Sequence, residues 1–424
     1  MNRRVVITGL GVCAPNGITL TEFEESLKNG KSGIRHDPQL EELKFSCQVV
    51  GKPQVPEERK ANYFSPLKLR NLKANGLIYG VIAGIDAWKD AGLPIAPEDT
   101  PDWDSGIIYG TGLIGVDKLR DAFQKIDEQR VRRLGSTTVI ETMASGVSAY
   151  LGGMIGCGNQ VTANSSACST GTEGVLLAYE RIASGKAERI LAGSCSDSGP
   201  YIWGGFDALR ILPNKYNDKP EQASRPMSAT ASGFVPGSGA GALVLESLES
   251  AQKRNATIYA EVLGGAINSG GQRAGGTMTA PNSQAIIRCI KQALKNTHIS
   301  AKEIDVINGH LTATAKDPLE ITNWTLGLER SGEDFPYINS FKGMIGHCIA
   351  AAGSIECVGA VLQIAKQTVY GNVNCEDLHP EITQIISPDK IPLKSFEFQP
   401  NIVAKASFGF GDVNAIIIFK NYNN

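Results

Sequence analysis

Nine cysteines and five histidines are spread through 424 residues, and one cysteine stands apart by its neighbours. Cys168 lies in Asn164-Ser-Ser-Ala-Cys-Ser-Thr-Gly-Thr172, a run of small residues that follows the short, strand-like Gln160-Val-Thr-Ala163. From Thr172 onward Val175, Leu176, Tyr179 and Ile182 recur at helical spacing. A thiol at the mouth of a helix faces unpaired backbone N–H groups and the positive end of the helix dipole. Both favour the thiolate, the form that attacks carbonyl carbon. A cysteine taken at random is more often buried and inert. Here the small flanking residues leave room for a substrate, and Cys168 reads as a nucleophile.

Two histidines in the second half also follow predicted strands: His310 in Val306-Ile-Asn-Gly-His-Leu-Thr-Ala-Thr314, and His347 in Ile338-Asn-Ser-Phe-Lys-Gly-Met-Ile-Gly-His347. Loops beyond the carboxyl ends of parallel strands are where sites assemble. Either histidine alone is as readily structural. Lys342 would ordinarily be a surface lysine, but glycines and an apolar helix follow it, and burial against a carboxylate such as Glu356 is expected.

Strand and helix alternate through both halves of the chain. Strands are expected at 4–8, 105–109, 187–193 and 237–246 in the first half, and at 258–263, 305–308, 337–339, 402–408 and 413–420 in the second. Helices are expected at 21–29 (capped by Thr21), 66–89, 116–130, 138–151, 172–182, 247–254, 283–297, 317–330 and 348–366. Residues 35–65 read as irregular, and Trp203, Phe206 and Pro213 as part of a loop. This pattern is that of an α/β protein with helix-covered sheets. A length of 424 residues suggests two domains or fused halves, with the division set at 1–255 and 256–424.

Composition excludes several classes. The balance of 41 basic against 43 acidic residues gives no footprint for nucleic acid or a membrane surface. The odd cysteine count and the lack of any C-x-x-C pair argue against a disulfide framework. The N-terminus reads as a first strand without a signal peptide, and no apolar run approaches the ~20 residues of a membrane span. A cytoplasmic location is expected.

In their order along the chain, Cys168, the His310 and Lys342…His347 segments and Ser407-Phe-Gly-Phe-Gly411 resemble the β-ketoacyl-(acyl-carrier-protein) synthases, in the elongating synthase I/II branch. The resemblance covers essentially the whole chain, as a divergent member. It implies a thiolase-like fold: two pseudo-repeated α/β halves with mixed sheets, layered αβαβα. It also implies an acyltransferase of fatty-acid or specialised polyketide synthesis. Cys168 would take an acyl group from the phosphopantetheine of an acyl-carrier protein, and a malonyl-carrier would lose CO₂ and attack the acyl-enzyme to give a 3-ketoacyl product. His310 and His347 would stabilise the enolate, and the N–H groups of Cys168 and Phe410 would form the oxyanion hole. Lys342 would pair with Glu356, Thr312 and Thr314 would bind the pantetheine arm, and Phe408 and Phe410 would form an aromatic gate. No bound cofactor or metal is implied. The partners implied are the carrier protein and a second subunit, identical or related, paired near residues 155–165. Lys68, Arg70 and Lys73 are candidates for docking the acidic carrier.

The chain departs from the family pattern at several points. Leu311 replaces the glycine after His310, and the shortened loop leaves the acidic partner open between Asp317 and Glu320. Asp412 replaces a glycine beside the oxyanion hole, Ser238 replaces a glutamate, and the Thr279-Ala-Pro281 loop is short. Three rivals follow: a Cys-His acyl hydrolase, a Cys/His/His zinc site, and a non-elongating partner subunit of the chain-length-factor type. That last class characteristically lacks the cysteine.

Overall fold

The computed structural model describes residues 3–422. In chain order the strands are β1 (Val5–Cys13), β2 (Ile34–His36), β3 (Val49–Gly51), β4 (Ser105–Thr111), β5 (Val161–Thr162), β6 (Arg189–Ser196), β7 (Gly239–Ser247), β8 (Ala260–Ser269), β9 (Val306–Asn308), β10 (Tyr337–Asn339), β11 (Thr368–Val369), β12 (Phe396–Glu397), β13 (Ile402–Gly409) and β14 (Val413–Lys420). Ten of them join in one sheet, in the order β10-β9-β13-β14-β8-β1-β7-β6-β4-β5. Its two five-stranded sides repeat one pattern. β4 runs parallel to β5 and β6, β6 antiparallel to β7, and β7 antiparallel to β1. On the other side β9 runs parallel to β10 and β13, β13 antiparallel to β14, and β14 antiparallel to β8. The sides meet where Val5, Val6 and Ile7 of β1 pair with Val262, Glu261 and Ala260 of β8.

Because β1, β4 and β7 are buried along their whole length, both faces of the sheet must be covered. Helix Asn75–Asp90 packs outside the first side and helix Ser283–Thr297 outside the second. Between the two sides lie helices Thr170–Ala183 and Ala352–Ala365, each touching strands of both sides and each other. Five layers result, αβαβα, as the resemblance implies. The central helices approach closely: a Cβ at Gly171 would lie 2.2 Å from the Ser354 nitrogen, and one at Gly353 would lie 2.5 Å from the Thr172 nitrogen. Among the described residues no helix is long and apolar enough to cross a membrane, and all nine cysteines are free thiols.

Several local expectations are corrected. The helix expected over 66–89 is two, Pro66–Asn71 and Asn75–Asp90. The break falls at Lys73 and Ala74, whose N–H groups donate to the buried Glu141 carboxylate at 2.5 and 2.9 Å instead of continuing a helix. Residues 200–208, expected as loop, form helix Pro200–Ala208 with Trp203 fully buried; Pro200 at its first turn suits a helix start. Thr19, not Thr21, caps the first helix, its hydroxyl accepting the Glu22 N–H at 3.2 Å. Residues 35–65 contain β2, β3 and two short helices. The helix expected from 348 begins at Ala352, after a 3₁₀ turn over Ile349–Ala351.

Glu141 also pairs with Lys118 at 2.9 Å, both buried. Removing one partner of a buried pair leaves an uncompensated charge. Glu141→Ala is therefore expected to cost about 3–5 kcal/mol, read as a clear fall in the urea unfolding midpoint.

Candidate active site

Cys168 sits two residues before helix Thr170–Ala183, on a turn that its neighbours hold tightly. Ala167 is left-handed at φ 48°. Thr170 Oγ1 accepts the Ser166 N–H at 2.9 Å and donates to the Ala167 carbonyl at 2.7 Å, while Asn164 Nδ2 donates to the Thr170 carbonyl. Ser169 Oγ reaches the carbonyls of Ser407 and Val413 at 3.1 and 3.2 Å, which docks the β13–β14 hairpin onto this turn. That hairpin brings Phe410 over the cysteine, so that the N–H groups of both Phe410 and Cys168 face the sulfur. Two backbone donors converging on one point are what a thioester oxyanion needs.

The remaining groups come from the other side of the sheet. His310 follows β9 and His347 follows β10, and their rings lie 5.4 Å apart, nearly perpendicular. The donor atoms of Cys168, His310 and His347 all lie within 4.8 Å of one another. His347 Nδ1 accepts the Ile349 N–H at 3.0 Å, so its proton resides on Nε2. His310 Nδ1 is buried without a hydrogen-bond partner among the described residues. The His310 loop is held by two carboxylates. Glu320 accepts the N–H groups of His310 and Leu311 at 2.6 and 2.7 Å; Asp317 accepts those of Thr312 and Ala313 at 2.9 and 3.1 Å. Leu311 takes φ 22° with its side chain fully buried, so the loop keeps its path without the glycine.

Cys168, His310 and His347 line a cavity of about 480 Å³. Phe206, Ile211, Phe234 and Phe410 make its apolar wall, Thr312 and Thr314 another part of the lining, and Phe408 stands 6.1 Å from the His310 ring. Asp412 also borders the cavity, at φ 61°. Its carboxylate accepts the N–H groups of Gln272 and Asn282 at 3.1 and 3.0 Å, pinning segment 270–282 instead of facing the oxyanion position. Lys342, Glu356 and Ser238 lie behind the lining, buried. Lys68, Arg70 and Lys73 are exposed and outside the cavity.

Burial dominates the electrostatics. Both imidazoles are pushed well below the ordinary histidine range by desolvation first and by the Lys342 ammonium second, so they are neutral at pH 7. Cys168 is pushed up to about 11 by burial, opposed by the Phe410 N–H and by Lys342. Burial thus works against the thiolate that the helix mouth favours and holds Cys168 toward the thiol. Lys342 forms a short buried ion pair with Glu356. Lys405, which the sequence reading missed, is 2.8 Å from the other Glu356 oxygen. Its signal was a single charge inside the otherwise apolar Ile402-Val-Ala-Lys-Ala406.

Alkylation of Cys168 by iodoacetamide should precede that of the other eight cysteines. Its rate should climb about tenfold per pH unit between pH 7 and 9, as expected while thiol predominates, followed by intact-protein mass spectrometry. A plateau near neutrality would show a resting thiolate.

Comparison with known proteins agrees with this arrangement. Residues 2–251 match the family described as "Beta-ketoacyl synthase, N-terminal domain", and residues 259–376 its C-terminal domain. The 3-oxoacyl-[acyl-carrier-protein] synthase 2 of Vibrio harveyi is 32% identical, covering 99% of this chain and 98% of its own. Synthase 1 of Haemophilus influenzae is 33% identical, covering 99% and 100%. A β-ketoacyl synthase from Burkholderia phymatum superposes with a TM-score of 0.88 at 28% identity over 99% of both chains. A ketosynthase in complex with its type II polyketide acyl-carrier protein, bound to a hexaketide, gives 0.86 at 29% identity over 99% and 100%. The chain belongs to the β-ketoacyl synthase family.

Proposed function

We propose that the protein is a 3-oxoacyl-(acyl-carrier-protein) synthase that joins an acyl group, held on Cys168, to malonyl-acyl-carrier protein with loss of CO₂. The observation that carries this is the meeting of one thiol and two neutral imidazoles on the lining of a largely apolar cavity. In the first step the sulfur of Cys168 bonds the acyl carbon, the pantetheine C–S bond breaks, and the thiol proton passes to the departing sulfur. His310, whose Nδ1 is uncommitted, suits the relay of that proton. The tetrahedral oxyanion sits between the N–H groups of Cys168 and Phe410; one such donor is worth about 10²–10³ in rate.

In the second step the malonyl thioester loses CO₂ and its carbonyl becomes an enolate. Neutral N–H donors stabilise that charge without delivering a proton that would quench the carbanion. His347, with its proton on Nε2, is suited to this, and His310 beside it supplies the second donor. The carbanion attacks the acyl-cysteine carbonyl, the same oxyanion position holds the adduct, and collapse breaks the bond to the Cys168 sulfur, which leaves as thiolate and takes a proton from water as the 3-ketoacyl product departs. Thr312 and Thr314, whose hydroxyls lie 3.1 Å apart on the cavity wall, would hold the pantetheine arm. Phe408 and Phe410 would gate the chamber. No metal is assigned to Cys168, His310 and His347, and metal analysis of the purified protein checks that. The aromatic cavity wall, the pinned 270–282 segment and the similarity to a hexaketide-bound ketosynthase favour specialised polyketide or polyene synthesis over housekeeping fatty-acid elongation. We place the enzyme in the cytoplasm.

The carrier protein would dock at the basic segment. Lys68 and Arg70 are exposed on helix Pro66–Asn71. Lys73 lies 3.5 Å from Asp121 on helix Val116–Asp127, whose Arg120 stacks on Tyr201 of the helix that carries Phe206 of the cavity wall. A second subunit would pair at β5, the two-residue strand that ends the sheet with Val161 exposed; an unpaired edge of this kind invites another chain.

Three measurements test these readings. Cys168→Gln should abolish condensation while leaving malonyl decarboxylation; free acid as the main product of the unaltered protein would instead identify a hydrolase. Reversing Lys68, Arg70 and Lys73 together to Glu should raise KM for carrier-bound substrate and spare a short pantetheine thioester. Equal loss on both would assign the segment to folding. Light scattering should give a dimer at micromolar concentration, and a monomer there would remove β5 from any interface.

A further inference from the structure

The tip of the β13–β14 hairpin is Phe410, Gly411 and Asp412, beyond the last strand pair, Gly409 with Val413. On one side the hairpin is held to the nucleophile turn. There Ser169 Oγ reaches the Ser407 and Val413 carbonyls, and a Cβ at Gly409 would lie 3.1 Å from the Cys168 nitrogen. On the other side Asp412 holds it to segment 270–282. The Gln272 N–H donates to Oδ2 at 3.1 Å and the Asn282 N–H to Oδ1 at 3.0 Å. Two main-chain bonds run beside these, from the Gly270 N–H to the Asp412 carbonyl at 3.0 Å and from the Gly411 N–H to the Met278 carbonyl at 2.9 Å. The segment wraps the carboxylate, since a Cβ at Gly276 would lie 2.7 Å from Oδ2. Asn282 in turn caps helix Ser283–Thr297, its side chain accepting the Gln284 and Ala285 N–H groups at 3.0 and 3.2 Å. The carboxylate therefore ties the hairpin tip to the start of a helix that packs on β8 and β14. Asp412 is itself buried and left-handed at φ 61°. Glycine takes that conformation without strain, whereas other residues keep it where their surroundings over-determine it. What the side chain adds over a glycine is its two accepted bonds, and bonds to a carboxylate are stronger than those between neutral groups.

We propose that Asp412 is a positioning residue for acyl transfer: by stapling the hairpin tip to segment 270–282 it fixes the Phe410 N–H where the oxyanion of the Cys168 thioester forms. This rests on the oxyanion hole in the function proposed above. Phe410 stands two residues before the staple on the same short tip, with its N–H toward the sulfur. Asp412 bonds none of the reacting atoms and acts through that N–H. Held at Ser169 alone, the tip would be free to tilt away from Cys168, and misplacement by about 1 Å is enough to cost a large part of a positioned group's effect. The enolate formed on decarboxylation faces His310 and His347, which come from β9 and β10 and share no bond with the staple. Loss of the staple should therefore fall on one half of the reaction.

Asp412→Gly removes the carboxylate and leaves the left-handed backbone unstrained, while Asp412→Asn keeps the shape with one acceptor oxygen in place of two. Acylation of Cys168 by acyl-carrier protein is followed in single turnovers by intact-protein mass spectrometry. Malonyl decarboxylation is followed in Cys168→Gln with and without Asp412→Gly. In Asp412→Gly the limiting acylation rate should fall about tenfold, part of the effect of losing a whole donor, with the half-saturating carrier concentration within about twofold. Asp412→Asn should fall between, and decarboxylation should stay within about twofold. Equal losses in acylation and decarboxylation would reduce Asp412 to folding, and unchanged acylation would remove it from the site; either result overturns the proposal. Hydrogen exchange of the unaltered protein tests the staple without any variant. Peptides covering 270–282 and 409–413 should exchange slowly and together, and exchange of 270–282 at the rate of an open chain overturns it. Absence of both acylation and decarboxylation where Asp412 is unaltered would sink the condensing reading itself, while the exchange rates still judge the staple.

Discussion

The structure depends on the contact between its two central helices. Thr170–Ala183 and Ala352–Ala365 touch backbone to backbone at Gly171 and Gly353, where added side-chain carbons would fall 2.2 and 2.5 Å from main-chain nitrogen. Because each helix also packs on strands of both sides of the sheet, this contact sets the distance between the halves. Cys168 stands at the head of one helix; Glu356, which anchors Lys342, is on the other. A wider crossing would separate the nucleophile from the histidines that the second half contributes. The hydroxyls of Thr172 and Ser407, 2.9 Å apart, fasten β13 to the same junction.

Desolvation then decides the protonation states. The same burial that raises the Cys168 thiol lowers the two imidazoles, so the three groups that meet in the site are held toward their neutral forms. On the reading proposed, Cys168 would be activated by what surrounds its transition state, two N–H groups and a proton relay, more than by a thiolate held at rest.

The departures from the family pattern are absorbed by compensating contacts. Leu311 fills core space beneath the loop, and Glu320 and Asp317 hold that loop from below through N–H groups on both sides of Thr312. Asp412 accepts a left-handed backbone and spends its carboxylate on segment 270–282.

Much of this was legible in the residues. The alternation of strand and helix, the helix over 283–297 and the final hairpin were readable because periodicity and caps are local. Cys168, His310, His347 and the Lys342–Glu356 pair were readable because their motifs keep chain order. Tertiary structure decided the rest. The break at Lys73 depends on Glu141, 68 residues away, and no local signal carries it. Helix Pro200–Ala208 was hidden by its glycines and is held by burial of Trp203. The balance at Cys168 follows from the burial around it set against the Phe410 N–H and Lys342, and Lys405 acquires its meaning from a carboxylate on another element. Local sequence determines which groups are present and which elements carry them. Distances and dielectric between remote segments, and hence charge states, exist only once the chain has packed.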